Sequence, residues 1–355
     1  MKKCILFPGC VLVLFYLTSC EQNDGDDNET TTTTTLSTTT TTTLSTTTTV
    51  QEGLFYNDFE PATGIGMSPP GAQLGPWATR LMLATSADGL TFTRTQEIVC
   101  DQAGVPNVIV DHDGYVRIYY IAWQRYGNKN GNDGNFIAFA IQNPENGRWY
   151  FHKVLMDKTF DPGAVDPSVV VLPDGTYRLY FMADTGNFDL KIFSATAADG
   201  LRFNVDSGER LDPDSQIFDP MVLKTESSWL LIAGPDGAYS ATSSDGLTFS
   251  EPEPFKVGEK GFHAWAGVAL PQGGYRLYGY FNDARDKLTS VSSADGVIWQ
   301  ADGGTCLTDQ GADPSVEAGF GTDVGVAALP DGTVPYGISG NHTKIAVQNA
   351  VKSCA

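Results

Sequence analysis

Beyond about residue 53, short apolar runs alternate with tight turns, and no stretch carries a helical period of useful length. One phrase recurs about every fifty residues: Ser86-Ala87-Asp88-Gly89-Leu90-Thr91-Phe92, then Ala197 to Phe203, Ser243 to Phe249 and Ser293 to Trp299. A degenerate copy runs from Asn143 to Trp149. Asp-Gly between alternating apolar segments is a strong hairpin signal. We therefore read these aspartates as turn formers rather than ligands. The aromatic residue three places past each glycine is expected to pack against the neighbouring repeat.

A second phrase alternates with the first. Its fullest copy runs from Asp166-Pro167-Ser168-Val169 through Pro173-Asp174-Gly175 to Tyr177-Arg178-Leu179-Tyr180-Phe181. Echoes begin near Val105, Asp219, Ala264 and Asp323. Each reads as strand, tight turn, strand. The first strand is almost continuously apolar, as for a buried inner strand, and the second alternates. One unit is thus four strands, and there are five units. A repeat of about fifty residues with four strands describes a propeller blade. The expected fold is all-β, a five-bladed β-propeller of four-stranded antiparallel blades over residues 53–355, with a pair of β-sandwiches as the competing architecture. Either the strand around Thr79–Thr85 or the segment Thr343–Gln348 is expected to close the ring.

The chain before residue 53 has a different character. Met1-Lys2-Lys3 precedes an apolar run from Cys4 to Leu17, too short for a comfortable membrane span. Residues 1–19 read as a signal peptide, and Leu17-Thr18-Ser19-Cys20 resembles the bacterial lipobox, which implies lipidation of Cys20. Residues 20–52 begin acidic and become nearly pure threonine, a composition that builds no packed core. The expected location is the cell envelope, with the lipid as the only membrane contact, at the outer membrane or cell surface rather than the inner membrane.

Charge narrows the partners. The 355 residues hold 42 acidic and 22 basic side chains, a net charge of −20. Such a surface repels phosphates, so nucleic acid is excluded as a partner. In an exported chain Cys100, Cys306 and Cys354 allow one disulfide and one spare thiol, as Cys306–Cys354 or Cys100–Cys306. The four histidines are scattered without zinc spacing, so no metal or cofactor is expected.

The starts of the inner strands converge on a propeller axis. Aligned on their turns, these positions hold Val105, Asp166, Asp219, Ala264 and Asp323, with Asn107, Ser168, His263 and Trp265 nearby. Clustered buried acids shift one another's protonation, as glycoside hydrolysis requires of its acid and its base or nucleophile. The bland reading is that Asp-Pro at a strand entry is turn chemistry. Asp313-Pro314-Ser315-Val316-Glu317 repeats the Asp166 phrase, adding Asp313 and Glu317 as candidates, with Glu317 as a proton donor. Trp123, beside an Asn/Gly-rich loop, offers a face for stacking on sugar.

The two phrases together, over roughly residues 53–350, resemble the five-bladed β-propeller glycoside hydrolases: arabinanase, xylosidase, invertase and levansucrase-like enzymes and related mannoside phosphorylases. The shorter phrase is also similar to the Asp-box of six-bladed sialidases, but is one residue shorter. The glycoside hydrolase resemblance implies a first-blade aspartate base or nucleophile, a supporting aspartate and a later glutamate acid. This chain has Val105 at the first of these positions, and no inner strand opens on a Glu-Gly-Pro or Glu-Ala-Pro phrase. The expectation is a monomeric, surface-anchored, carbohydrate-active propeller. Its catalytic candidates are Asp166, Asp219, Asp313, Glu317 and Asp323, and its substrate-binding candidates are Asn107, Trp123, His263 and Trp265. The alternative is a non-catalytic carbohydrate-binding or envelope scaffold lipoprotein on the same fold.

Overall fold

The computed structural model describes residues 52–64, 79–122, 135–160, 163–186, 189–211, 219–234, 239–308, 323–328 and, by backbone, 343–350. The signal segment, Cys20, Trp123, Asp313, Glu317 and Cys354 lie outside them. A short 3-10 turn at Glu52–Leu54 precedes the first strand. Strands β1 (Thr79–Ser86) and β2 (Thr93–Asp101) form one hairpin. The first sheet holds β3 (Ala103–Val110), β4 (Val116–Ala122), β5 (Phe136–Gln142) and β6 (Trp149–Lys153).

The second sheet holds β7 (Leu155–Met156), β8 (Val165–Val171), β9 (Tyr177–Asp184), β10 (Leu190–Ala197) and β11 (Arg202–Val205). The third holds β12 (Met221–Lys224), β13 (Trp229–Ala233), β14 (Tyr239–Ser243) and β15 (Glu253–Pro254). The fourth holds β16 (Lys256–Val257), β17 (Lys260–Ala269), β18 (Tyr275–Phe281), β19 (Ala284–Ser293) and β20 (Gln300–Ala301). Strands β21 (Val324–Ala328) and β22 (Thr343–Ala350) join β1 and β2 in a closing sheet of order β2-β1-β22-β21.

The architecture is an all-β propeller of antiparallel sheets. The described residues form five sheets, three of four strands and two of five. The uniform four-stranded plan is corrected in two places. In the second sheet β7 adds to β11 in parallel, and in the fourth a short β16 pairs with the start of β17. The inner strands touch in the order β3, β8, β12, β17, β21 and back to β3. Both candidates for closure take part, since β1 and β22 pair antiparallel from Thr79↔Ala350 to Ser86↔Thr343.

Each apolar cluster lies between two neighbouring sheets. Tyr119 and Phe139 of the first sheet pack with Tyr177, Phe181 and Phe203 of the second. Four further clusters fill the other junctions in the same way. Burial of these facing surfaces is the main force holding the sheets together. The aromatic residues after the Asp-Gly turns sit in these seams as expected: Phe92 meets Tyr278 at 5.8 Å, and Phe249 meets Tyr180 at 6.1 Å, both edge-on.

The two repeated phrases are parts of one clamp. Tyr119, Tyr180 and Tyr278 donate their hydroxyls to the carbonyls of Gly200, Gly246 and Gly89 in the neighbouring sheets, at 2.7, 2.7 and 2.9 Å. The arginines two places earlier, Arg117, Arg178 and Arg276, donate to the carbonyls of Asp199, Asp245 and Asp88. Thus Arg-x-Tyr in one sheet grips Asp-Gly in the next. The third sheet lacks the grip, because Leu230 and Ile232 stand where Arg178 and Tyr180 stand in the second.

The turn aspartates serve the backbone. Asp245 Oδ1 accepts the N–H groups of Leu247 and Thr248 at 2.8 and 2.9 Å, while Ser243 Oγ donates to it at 2.8 Å. Asp88 and Asp295 repeat the set. The Thr248 and Leu247 N–H groups hold the Asp245 carboxyl down to about 2, and Asp88 and Asp295 are lowered by the same kind of bonds. Folding therefore releases protons that the unfolded chain holds. These turns give full support above the usual carboxylate value of 3.8, and that support is lost as pH falls towards 2. Thermal unfolding followed from about pH 5 to about pH 2 is expected to show a progressive fall in melting temperature. A constant value would contradict the turn assignment.

Of the two cysteine pairings left open, one is decided, and the other involves Cys354, outside the described residues. Cys100 and Cys306 are both buried free thiols, so the Cys100–Cys306 bridge is not formed. Cys306 lies in the seam between the fourth and closing sheets, whereas Cys100 lies in the seam between the closing and first sheets.

Candidate functional site

The inner strands share an unusual start. Val105, Asp166, Asp219 and Asp323 have φ of 48°, 55°, 51° and 58°. Only small or side-chain-bonding residues visit this left-handed region readily, and a β-branched valine there is strained by roughly 1–3 kcal/mol. The register of β3 and of β8 slips at this level, between Gly104 and Asn107 and between Val165 and Ser168. These slips are β-bulges, which re-aim side chains at a strand end. At the matching level of the fourth sheet the slip falls between Ala264 and Ala266, leaving Trp265 as the extra residue.

This geometry separates the acids from the turn. Val105 holds the same backbone conformation with no carboxyl, so the left-handed start does not depend on one. Asp166 interacts electrostatically with both Asp219 and Asp323. Burial raises the Asp166 carboxyl well above its ordinary value, and the charges of Asp219 and then Asp323 add to this. The backbone N–H of Asp219, donated to that carboxyl, opposes the rise. Burial lifts Asp219 to about 6. The turn acids Asp88, Asp245 and Asp295 move the other way. The same residue type therefore does opposite electrostatic work at the strand starts and in the turns.

The remaining candidates divide. Asn107 has a structural bond, since its Oδ1 accepts the N–H of Val169 in the next sheet at 2.9 Å. Ser168, one sheet on, accepts the N–H of Val222 in the same way, also at 2.9 Å. The position two residues beyond the left-handed start thus stitches neighbouring inner strands. In the closing sheet that position is Gly325, where an added Cβ would lie 2.8 Å from the nitrogen of Val108, so the backbones approach too closely for a side chain.

His263 and Trp265 come together. The buried His263 ring stacks on Tyr280 at 5.0 Å, and Trp265 meets the same tyrosine edge-on at 5.0 Å. Register explains the pair, because His263 lies opposite Tyr280 in the β17–β18 hairpin. Tyr280 completes an aromatic group that the linear motif did not reveal, since its partner lies across a hairpin. Trp265 also packs on the cluster containing Val324 and Val326, the strand that follows Asp323.

A cavity of about 500 Å³ lies among the inner strands, lined by residues of β3, β8, β12, β17 and β21. It begins at Asn107, two residues beyond the level of the acids, and its walls are chiefly Val and Ala with Lys224 and Glu226 at the far end. Among the described residues no group of three or more His, Cys, Asp or Glu side chains has the arrangement of a metal site.

No family model matches the chain, and no curated protein does so. Similar solved structures include the β-xylosidase RS223, at 13% identity over 71% of this chain and 95% of that one, with a TM-score of 0.48. Another is a GH43 β-xylosidase/α-arabinofuranosidase from a compost microbial metagenome, at 15% identity over 71% and 92%, with a TM-score of 0.48. A third comes from work on the GH130 family of mannoside phosphorylases, at 13% identity over 82% and 98%, with a TM-score of 0.47.

Proposed function

We propose that this chain is a glycan-active five-bladed propeller that hydrolyses glycosidic bonds with the acids at its inner-strand starts. The observation that carries this reading is the opposed behaviour of two sets of aspartates. Those in turns are acidified by backbone N–H groups, whereas Asp166 and Asp219 are held towards their protonated forms. Five sheets with a closed cycle of inner-strand contacts support taking each sheet as a blade and these starts as one axial cluster.

In this reading Asp166 keeps its proton near neutral pH and gives it to the departing glycosidic oxygen. Asp219, ionised above about 6, removes a proton from water as that water bonds to the anomeric carbon. The sugar–oxygen bond breaks, the leaving alcohol takes the Asp166 proton, and the water proton ends on Asp219. Asp323 raises Asp166 through its charge. Trp265 and Tyr280 supply apolar faces for a sugar ring. Residues 1–19 as a signal, Cys20 as a lipid anchor and an envelope location complete the proposal, with a monomeric domain carried on the threonine-rich stalk.

A second reading, carbohydrate binding without cleavage, is favoured by Val105, which stands where the resemblance implies a base or nucleophile. Release of reducing sugar from arabinan, xylan, fructan and mannan, compared between wild type and Asp219→Asn, separates the two. Hydrolysis of one glycan that is lost in the variant supports the enzyme. Retention on a glycan column with no hydrolysis of any of the four supports the binder. Undiminished hydrolysis by the variant would refute the assigned site.

A further inference from the structure

The inner-strand starts are unlike one another. In the order of inner-strand contacts they carry Val105 in the first sheet, Asp166 in the second, Asp219 in the third, Trp265 in the fourth and Asp323 in the closing sheet. Val105 therefore stands between Asp323 and Asp166, and Trp265 between Asp219 and Asp323. Two acids are direct neighbours, and the third has an apolar residue on each side.

Val105 is the misfit among them. Its φ of 48° matches the 55°, 51° and 58° of the three aspartates. A short polar side chain tolerates this left-handed region, whereas the branched Cβ of valine crowds the backbone. Strain of this kind persists only where something else requires the residue. The backbone does not require it, since aspartate makes the same start in three sheets. Core packing does not require it either. Val105 is half-buried and joins none of the five apolar clusters of the described residues, although Val108, Ile109 and Val110 of the same strand each pack in one. The axial cavity begins only at Asn107, so Val105 belongs to the level of the acids. Its φ and the register slip around it match those of Asp166, which places the two side chains alike in their sheets.

We propose that Val105 is a specificity-determining residue, an apolar contact between Asp323 and Asp166 for the methyl group of a 6-deoxyhexose. This rests on reading the strand starts as a glycan site. The chemistry is one of exclusion. A carboxylate at this place would accept a hydrogen bond from a sugar hydroxyl. Valine cannot, so a hydroxyl pressed against it loses water and gains no partner. A methyl group there gives up no hydrogen bond and buries apolar surface. Ring C–H faces suit the flat surfaces of Trp265 and Tyr280, and the methyl is the one wholly apolar substituent such a sugar can offer to an aliphatic side chain.

Val105→Thr and Val105→Asn test this in the full chain. Threonine keeps the branched outline and its strain and adds one hydroxyl, whereas asparagine relieves the strain and adds an amide. The probes are the methyl glycosides of L-fucose and L-galactose, of D-fucose and D-galactose, and of L-rhamnose and L-mannose. The members of each pair differ by a single hydroxyl, on C6. Calorimetric titration of wild type is expected to favour the deoxy member of one pair by about tenfold or more. Both variants are expected to bring that ratio towards one, while Val105→Asn melts a few degrees higher than wild type. A wild type with no deoxy preference in any pair overturns the proposal, as does a preference that both variants keep. So does a Val105→Asn chain that melts no higher than wild type, because valine would then be no misfit. Glycan hydrolysis lost in Asp219→Asn beside any of these results would sink this inference alone. Binding of no sugar, with hydrolysis of no glycan, would sink the underlying site reading with it.

Discussion

Asp166→Asn is expected to reduce glycan hydrolysis by about 10²–10⁴-fold and, at the same time, to raise the melting temperature by a few degrees at neutral pH. The loss follows from removing the proton donor. The gain follows from the sign of the shift. Burial first, then Asp219 and Asp323, raise the folded-state value of Asp166 above 3.8, so the folded chain holds a proton that the unfolded chain releases. Stability from this group is greatest below 3.8 and falls as pH rises above it. An asparagine never ionises, so the variant escapes the penalty, and its advantage shrinks as pH approaches 3.8.

Asp219→Asn shares the direction, with its window running from 3.8 to about 6. Calorimetry at about pH 7 and about pH 4, beside turnover on the responsive glycan, checks both halves. A variant that is active but less stable would show that Asp166 is a turn former like Asp245, and the catalytic assignment would fall. A site that opposes folding is what functional acids commonly look like, because chemistry and stability favour different residues there.

Arg117→Leu is the largest purely structural loss expected. Its guanidinium and the Asp111 carboxylate are fully buried, with Nε 2.8 Å from Oδ2. The guanidinium also donates to the Asp199 carbonyl and lies over the rings of Tyr177 and Phe139 at 4.9 and 5.4 Å. Leucine leaves Asp111 charged and buried without its partner, at a cost of about 3–5 kcal/mol. For a domain of this size the melting temperature should fall on the order of 10 °C. Asp111→Asn combined with Arg117→Leu should recover part of that loss by removing the stranded charge. Arg178→Leu, at the same clamp position one sheet on but only half-buried and with no buried carboxylate to strand, should cost under about 1 kcal/mol. Equal losses at the two sites would mean that the clamp hydrogen bond, not the buried pair, carries the effect.

Much of the scaffold was legible because it is written in repeats. Asp-Gly turns, apolar inner strands and alternating second strands each obey a local rule, and five copies make the rule visible. The same copies hid what differs between them. Asn107 was placed beside the axis by its position, and nothing in the linear motif showed that its amide oxygen also stitches β3 to β8. Ser168 and Gly325 reveal that stitching only once neighbouring strands are laid side by side. Tyr280 was missed because it joins His263 across a hairpin rather than along the chain. The left-handed starts could not be foreseen from Val105, a residue that sequence rules place firmly in a strand. The closure was half legible: two segments competed in the sequence for a place that takes both.

That shared place sets an order of assembly. The closing sheet draws β2 and β1 from one end of the chain and β22 and β21 from the other, so its middle pairing waits for the last strand. As the chain emerges, the first four sheets can form in sequence while β1 and β2 remain a lone hairpin, too small to be stable by itself. Closure is the longest-range contact in the domain and so the slowest to be found. Until then the exposed edge of β1 is a template for strands of other molecules. Truncation near the C-terminus should consequently be felt at the N-terminal hairpin, at the opposite end of the sequence.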